Sequence, residues 1–270
     1  MSNTSFVRVG LGRLVCAVAV ISLGGFFIPA FAAERPPEVL EVVGIQVGMS
    51  IDEVRARLEQ RKIQVYVDKA QFPNSQESFV VRLRGVSPNQ DVARELIVIQ
   101  FAPPPNEARA VAVARNANWP LDQGPAIDNL SKTMIDKFGA PARKAGKVHN
   151  SSWVWIWGKS GSPGVPDPQI TCETYLRFFE HTGSMSLNAL TQNITPGKFT
   201  APLNAGCASG VHATLQGDGN GIRAVRLTTV AVDFATADKA IRATAEYMAK
   251  LQGAATDRQR DAAKKQKSEI

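Results

Sequence analysis

Three histidines, three cysteines, a glycine-rich acidic loop and a row of tryptophans are the residues of this chain whose types could do chemistry. His149, His181 and His212 lie far apart, none at i,i+4 from another, and only His181 has a second ligand type beside it, Glu180. Metal centres want clustered ligands of matching geometry, so these read as loop histidines, and neither a metal nor any other cofactor is expected. No G-x-S-x-G occurs, and Ser151-Ser152, which precedes an apolar strand pattern, lacks the flanking glycines of a nucleophile elbow. Gly217 to Gly221, GDGNG, has the look of a calcium or phosphate loop. It lacks the run of spaced oxygen ligands ending in Glu, so a hairpin turn is the reading. Ser50 and Glu53 fit a capping box rather than a catalytic pair. No catalytic residue is assigned.

Two residue sets remain. Cys172 and Cys207 stand together in the second half of the chain without a C-x-x-C spacing, and an isolated even pair in an exported protein reads as one disulfide. Closing a loop of about 35 residues stabilises a fold by roughly 3 to 4 kcal/mol. Trp153, Trp155 and Trp157 alternate along SWVWIW and share one face of a strand. Exposed, they would be a binding hot spot; covered by the helix expected at 127–138, they are core, and a helix-on-sheet unit must cover one sheet face. Arg82 and Arg84, with Arg223 and Arg226, are candidates for the other face, where polar residues are the ordinary expectation.

The elements that must position these residues follow from periodicity. Ser50 caps a helix from Ile51 whose Ile51, Val54 and Leu58 share a face. Ile63–Val67, Phe79–Leu83, Glu95–Phe101 and Ala108–Arg115 read as four strands in meander order. The helical spacing then recurs at Ile127, Leu130, Met134 and Phe138, stopped by Gly139 and Pro141. The tryptophan strand follows, then a strand at Ile170–Phe179, a long loop at Ser184–Ala205, and a hairpin of Gly210–Leu215 with Ile222–Val232. A last helix, capped by Thr236, buries Ala237, Ile241, Thr244, Met248 and Leu251 and stops at Gly253. Residues 254–270 read as a disordered charged tail.

Residues 1–32 differ in composition from the rest: Arg8 and Arg13 without an acid, an apolar run from Leu14 to Phe31, then Ala30-Phe31-Ala32. That is a secretory signal peptide, cleaved near Ala32. Of the formal +7 charge, cleavage removes two positive charges and leaves +5 on about 238 residues. The longest basic block is Lys264-Lys265-Gln266-Lys267, and basic residues elsewhere alternate with acids, so nucleic acid is not implied. No mature segment is apolar enough to span a membrane. The expected location is periplasmic or secreted.

Gly44-Ile45-Gln46-Val47-Gly48-Met49-Ser50, continuing to Glu53-Val54 and Leu58, resembles the G-x-x-x-G-M-S/T-x-x-E-V-x-x-x-L opening of SmpA/OmlA-type periplasmic proteins. Lys137-Phe138-Gly139-x-Pro141 before the tryptophan strand is similar to a companion element of that group, whose helix-plus-meander unit resembles the tandem repeats of β-lactamase inhibitor protein. This chain has two such units and no lipidation cysteine. The resemblance therefore implies an interaction or inhibitor scaffold rather than a barrel-assembly lipoprotein, and it carries no catalytic residues.

The reading is an α+β protein of two tandem units, each one helix packed on an antiparallel meander sheet, plus a C-terminal helix. Residues 33–119 form the first unit, and 120–253 the second with its closing helix. The expected role is a non-enzymatic interaction module that binds another envelope or secreted protein through an open sheet face. Two alternatives stand beside it. One is a small-ligand-binding protein or hydrolase using a cleft between the units; the other is an inhibitor of a secreted enzyme, projecting the loop Phe72–Gln76 or Gly158–Pro168. Composition leaves the oligomeric state open.

Overall fold

The structure is a computed structural model that describes residues 39–72, 75, 77–87, 94–147, 150–158, 168–180 and 200–267. The stretch VGIQVGMS folds first into a two-strand ribbon, β1 (Glu41–Val42) and β2 (Ile45–Gln46). Val43 and Gly44 turn it with φ of 51° and 82°, the positive values that a tight hairpin requires. Val42 and Ile45 enter the core from the ribbon. α1 (Ile51–Gln60) then starts on the expected capping box: Glu53 N–H donates to Ser50 Oγ at 3.3 Å, and Ser50 N–H donates to the Glu53 carboxylate at 2.7 Å.

One eight-stranded antiparallel sheet dominates the described residues. Its strands are β3 (Gln64–Gln71), β4 (Ser78–Val86), β5 (Arg94–Phe101), β6 (Ala110–Asn118), β7 (Arg143–Lys147), β8 (Asn150–Trp157), β9 (Ser209–Gly217) and β10 (Ala224–Asp233). Their order is β3-β4-β5-β6-β10-β9-β8-β7, so the two runs of consecutive strands meet where β6 pairs with β10. The four strands expected in the first half and the hairpin around Gly217–Gly221 are present; β7, rich in Lys and Arg, carries no alternating apolar signal.

The first sheet face is covered by α1 and by α2 (Ile127–Phe138), which Gly139 ends at φ 78°. Val54, Leu58, Met134 and Phe138 from these helices join Leu83, Ile97, Ile99, Leu215 and all three tryptophans in one apolar cluster. The tryptophan row is therefore core. Trp153, Trp155 and Trp157 are 2%, 2% and 4% exposed, buried where a binding hot spot would have to be open to solvent.

The second face is not open as expected. α3 (Pro168–Glu180), α4 (Thr200–Asn204) and the start of α5 (Phe234–Lys267) pack over it, with Cys172, Leu176, Phe179, Phe234 and Ile241 on Val98, Val154, Val230 and Val232. α3 replaces the strand expected at Ile170–Phe179. Its buried residues Cys172, Leu176 and Phe179 recur at i, i+4 and i+7, a helical stripe that β-forming Thr, Tyr and Phe neighbours mask in the sequence. Gly210 lets the helix approach: a Cβ there would sit 3.0 Å from a Leu176 methyl. Cys172 on α3 and Cys207 after α4 form the expected disulfide, with Cα atoms 6.1 Å apart.

α5 departs from its expectation at both ends. Its first turn is capped by Asp233, whose carboxylate accepts from the Thr236 amide at 2.9 Å and hydroxyl at 2.6 Å. It also runs through Gly253 to Lys267, in place of the stop and disordered tail. One helical Gly costs only about 1 kcal/mol against Ala, and Ala, Arg, Gln and Lys beyond it are strong helix formers. Residues 184–199 of the expected long loop, and residues 1–32, lie outside the described residues.

Candidate functional site

The strand register places the second-face side chains in rows that run across the sheet. One row passes from Tyr66 and Arg84 through Val98, Ala114, Val230 and His212 to Val154 and Arg143. Its middle is buried beneath the second-face helices, while its Tyr66 end is not. The next row, Leu96, Asn116, Thr228, Thr214 and Ser152, is mostly half-buried. In the row after that, Arg94, Arg226, Gln216 and Asn150 are exposed. The helices thus cover one part of this face and leave a polar margin along the other.

Tyr66 and Arg84 stand at one end of this margin and are held rigidly. Arg84 donates to both carboxylate oxygens of Asp68, at 3.0 Å from Nε and 3.0 Å from Nη2. Its guanidinium also lies 5.7 Å from the centre of the Tyr66 ring. Arg82, almost fully buried, donates to the same Asp68 Oδ2. A planar fork matched to a carboxylate and stacked on an aromatic ring loses few rotamers when a partner arrives. Tyr66 is 42% exposed, and the Arg84 side chain 37%. Counting Asp68, Arg82 and Arg84 alone, one carboxylate lies between two guanidinium groups, a formal charge of +1.

Midway along the sheet, on β10, Arg226 Nε donates to Asn118 Oδ1 at 2.8 Å, and Asn118 donates onward to Asn116 at 3.1 Å. Arg223 serves the fold instead: its Nη1 donates to the Gly124 carbonyl at 3.0 Å, tying the segment before α2 to β10. Of the four arginines singled out in the sequence, the structure therefore brings Arg84 and Arg226 to the margin and buries Arg82 behind Asp68. Asp68 and Tyr66 were missed. The alternating run of β3 was legible, but only pairing with β4 sets Asp68 opposite Arg82 and Tyr66 opposite Arg84.

A second constellation bridges the buried row and the half-buried one. Ser152 Oγ is 2.9 Å from Nε2 of the fully buried His212. A serine beside an imidazole is the opening of a nucleophile–base pair. Acyl transfer also needs N–H donors aimed at the developing oxyanion. Ser152, however, lies within a strand paired on both sides, opposite Ala145 of β7 and Thr214 of β9, which commits the nearby backbone to the ladder. This arrangement suits a hydroxyl that satisfies a buried histidine.

The remaining histidines, His149 and His181, fall outside the described residues, as does most of each loop considered for inhibition. Among the described residues no group of three or more His, Cys, Asp or Glu could hold a metal ion, and no helix is long and apolar enough to cross a membrane. In the GDGNG turn, Asp218 accepts from the Ile222 amide at 2.9 Å, and backbone donors, that amide foremost, hold its carboxyl below the usual carboxylate range. Its oxygens serve the hairpin. No protein-family model, curated protein or solved structure matches this chain.

Proposed function

We propose that this chain is an exported, non-enzymatic interaction module that binds an acidic surface of another envelope or secreted protein through the polar margin of its second sheet face. The observation that carries the reading is the Arg84 guanidinium, fixed by two hydrogen bonds to Asp68, stacked on Tyr66 and still reachable from solvent. Arg and Tyr held in this way are the side chains that dominate binding energy at protein interfaces.

Architecture supports the same reading. Each of α1 and α2 precedes a run of four consecutive neighbours in the sheet, β3 to β6 and β7 to β10. We read the chain as two tandem helix-plus-meander units of the SmpA/OmlA-like and inhibitor-protein-like kind, with α3, α4 and α5 as additions that narrow the open face. The signal-peptide composition of residues 1–32 and the Cys172–Cys207 disulfide support export to an oxidising compartment.

The test is affinity capture from envelope extracts with the wild type and a Tyr66→Ala/Arg84→Ala variant. A partner enriched by the wild type and lost by the variant is expected, with binding weakened as salt rises. Equal recovery by both proteins, or no enriched partner, would overturn the reading. A hydrolase reading would have to rest on the Ser152–His212 contact, whose place inside a ladder paired on both sides argues against it; ester turnover abolished by Ser152→Ala would promote it.

A further inference from the structure

The cations of the second sheet face fall into two groups. Arg82, Arg84 and Arg143 spend their charge on Asp68 and Glu173. Arg94, Arg226 and Lys147 have no ion pair among the described residues. The strand register gathers these three into one row, Arg94, Asn118, Arg226, Gln216, Asn150 and Lys147, which crosses the sheet from β5 to β7. All but the half-buried Asn118 are exposed. The row contains no acid, nor does the adjoining one from Gln64 to Ala145. Asp218, in the turn beyond β9, directs its carboxylate to the Ile222 amide. Arg226 is already oriented, its Nε held by Asn118 at 2.8 Å, while its Nη groups have no partner among the described residues.

We infer that this row seats a flexible acidic segment of the partner protein, lying across the strands with carboxylates on Arg94, Arg226 and Lys147; the assignment rests on the reading of the chain as an interaction module. Three unneutralised cations without an anion supply the charge complementarity. Gln216 and Asn150, between Arg226 and Lys147, can each donate and accept, which suits the alternating N–H and C=O groups of a peptide backbone. The spacing sets the pattern of acids. Arg94 and Arg226 are two strands apart, about 10 Å, and Arg226 and Lys147 three strands apart, about 14 Å. An extended chain covers those distances in about three and about four residues. Flexibility follows from sheet twist: at roughly 20–25° per strand, the directions of Arg94 and Lys147 differ by roughly 100–125°. A straight helix or a flat bilayer would meet only part of such a row, whereas a pliant chain can follow all of it.

Fluorescence anisotropy at low salt with a labelled peptide, Glu-Ser-Ser-Glu-Ser-Ser-Ser-Glu, tests the assignment on the purified protein. The peptide is expected to bind the wild type, and to bind Arg94→Gln/Arg226→Gln/Lys147→Gln about tenfold more weakly through the loss of three exposed ion pairs. Circular dichroism of that variant should match the wild type, because the replaced side chains are exposed. A peptide of the same composition with its three glutamates adjacent is expected to bind the wild type several-fold more weakly. No peptide binding, equal binding of the spaced and clustered peptides, a row variant that binds like the wild type, or tighter binding of alginate or of phosphatidylglycerol vesicles overturns the assignment. Peptide binding lost on Tyr66→Ala/Arg84→Ala but kept by the row variant overturns this assignment alone. The broader reading falls only with the capture experiment on envelope extracts.

Discussion

The indole N–H of Trp155 donates to the carbonyl of Gly139 at 2.9 Å, joining the middle of β8 to the residue that ends α2. Phe138 packs beside it, ring centres 5.4 Å apart. Trp153, two residues away on the same face, has a buried indole N–H with no hydrogen-bond partner among the described residues. Trp155→Phe should therefore cost about 1 to 3 kcal/mol more than Trp153→Phe, since only the former strands a carbonyl. Urea unfolding of both variants measures the difference, and equal losses would mean that the bond contributes nothing net.

Asp68 joins Arg82 to Arg84 and so links stability to the candidate site. Asp68→Asn keeps the shape but removes the charge that two guanidinium groups share. A loss of roughly 1.5 to 3 kcal/mol is expected, the range for hydrogen bonds to charged groups. Arg84 would also lose its fixed orientation, so partner capture should fall at temperatures where the variant is still folded.

The disulfide ties α3 to the segment after α4 across a separation of 35 residues. Replacing both Cys172 and Cys207 by Ser should lower stability by roughly 3 to 4 kcal/mol. Wild-type protein in reductant should approach the variant's melting temperature, while the variant itself should not respond to reductant.

Lys137 donates to the Glu41 carboxylate at 2.8 Å, and this hydrogen bond is the chief reason the Glu41 carboxyl sits below its ordinary range. A depressed carboxyl stabilises the fold fully above its unfolded-chain value and loses that contribution as the pH falls through the folded one. Unfolding midpoints measured from pH 7 to pH 3 should therefore drop less steeply for Glu41→Gln than for the wild type. The exposed Asp218 has the same sign through the Ile222 amide, and Asp218→Asn should flatten the profile in the same direction.

Gly124 tests the close approach before α2. A Cβ there would lie 1.7 Å from the Ala224 carbonyl oxygen, a backbone atom that cannot swing aside. Gly124→Ala should cost about 3 kcal/mol or more, beyond ordinary overpacking. Gly219→Ala, in the hairpin turn with no atom within 4 Å, should stay within about 0.5 kcal/mol of wild type.

The parts legible in the sequence are those written locally. The Ser50/Glu53 box starts α1 because its two hydrogen bonds span three residues. Gly139 ends α2 because it alone adopts the needed φ without strain. Ile97, Ile99 and Phe101 alternate because a pleated strand buries every second side chain. The α3 segment reads as a strand because Thr171, Thr174 and Tyr175 favour strands locally, while the apolar layer over β8, β9 and β10 is formed by Cys172, Leu176 and Phe179 at helical spacing.

By itself, then, the sequence determined the helix starts, most strands, the hairpin turn and the cysteine pair, since each depends on neighbours within a few residues or on simple parity. The tertiary structure alone decided that the tryptophan row lies under α2, that helices cover much of the second face, and that Asp68 meets Arg82 and Arg84. Those outcomes depend on strand order and register, which bring together residues 14 and 16 positions apart at Asp68 and 16 apart between Trp155 and Gly139. A single-chain pattern names the alternating face of a strand. Which layer buries that face is settled only when all the apolar faces compete for cover.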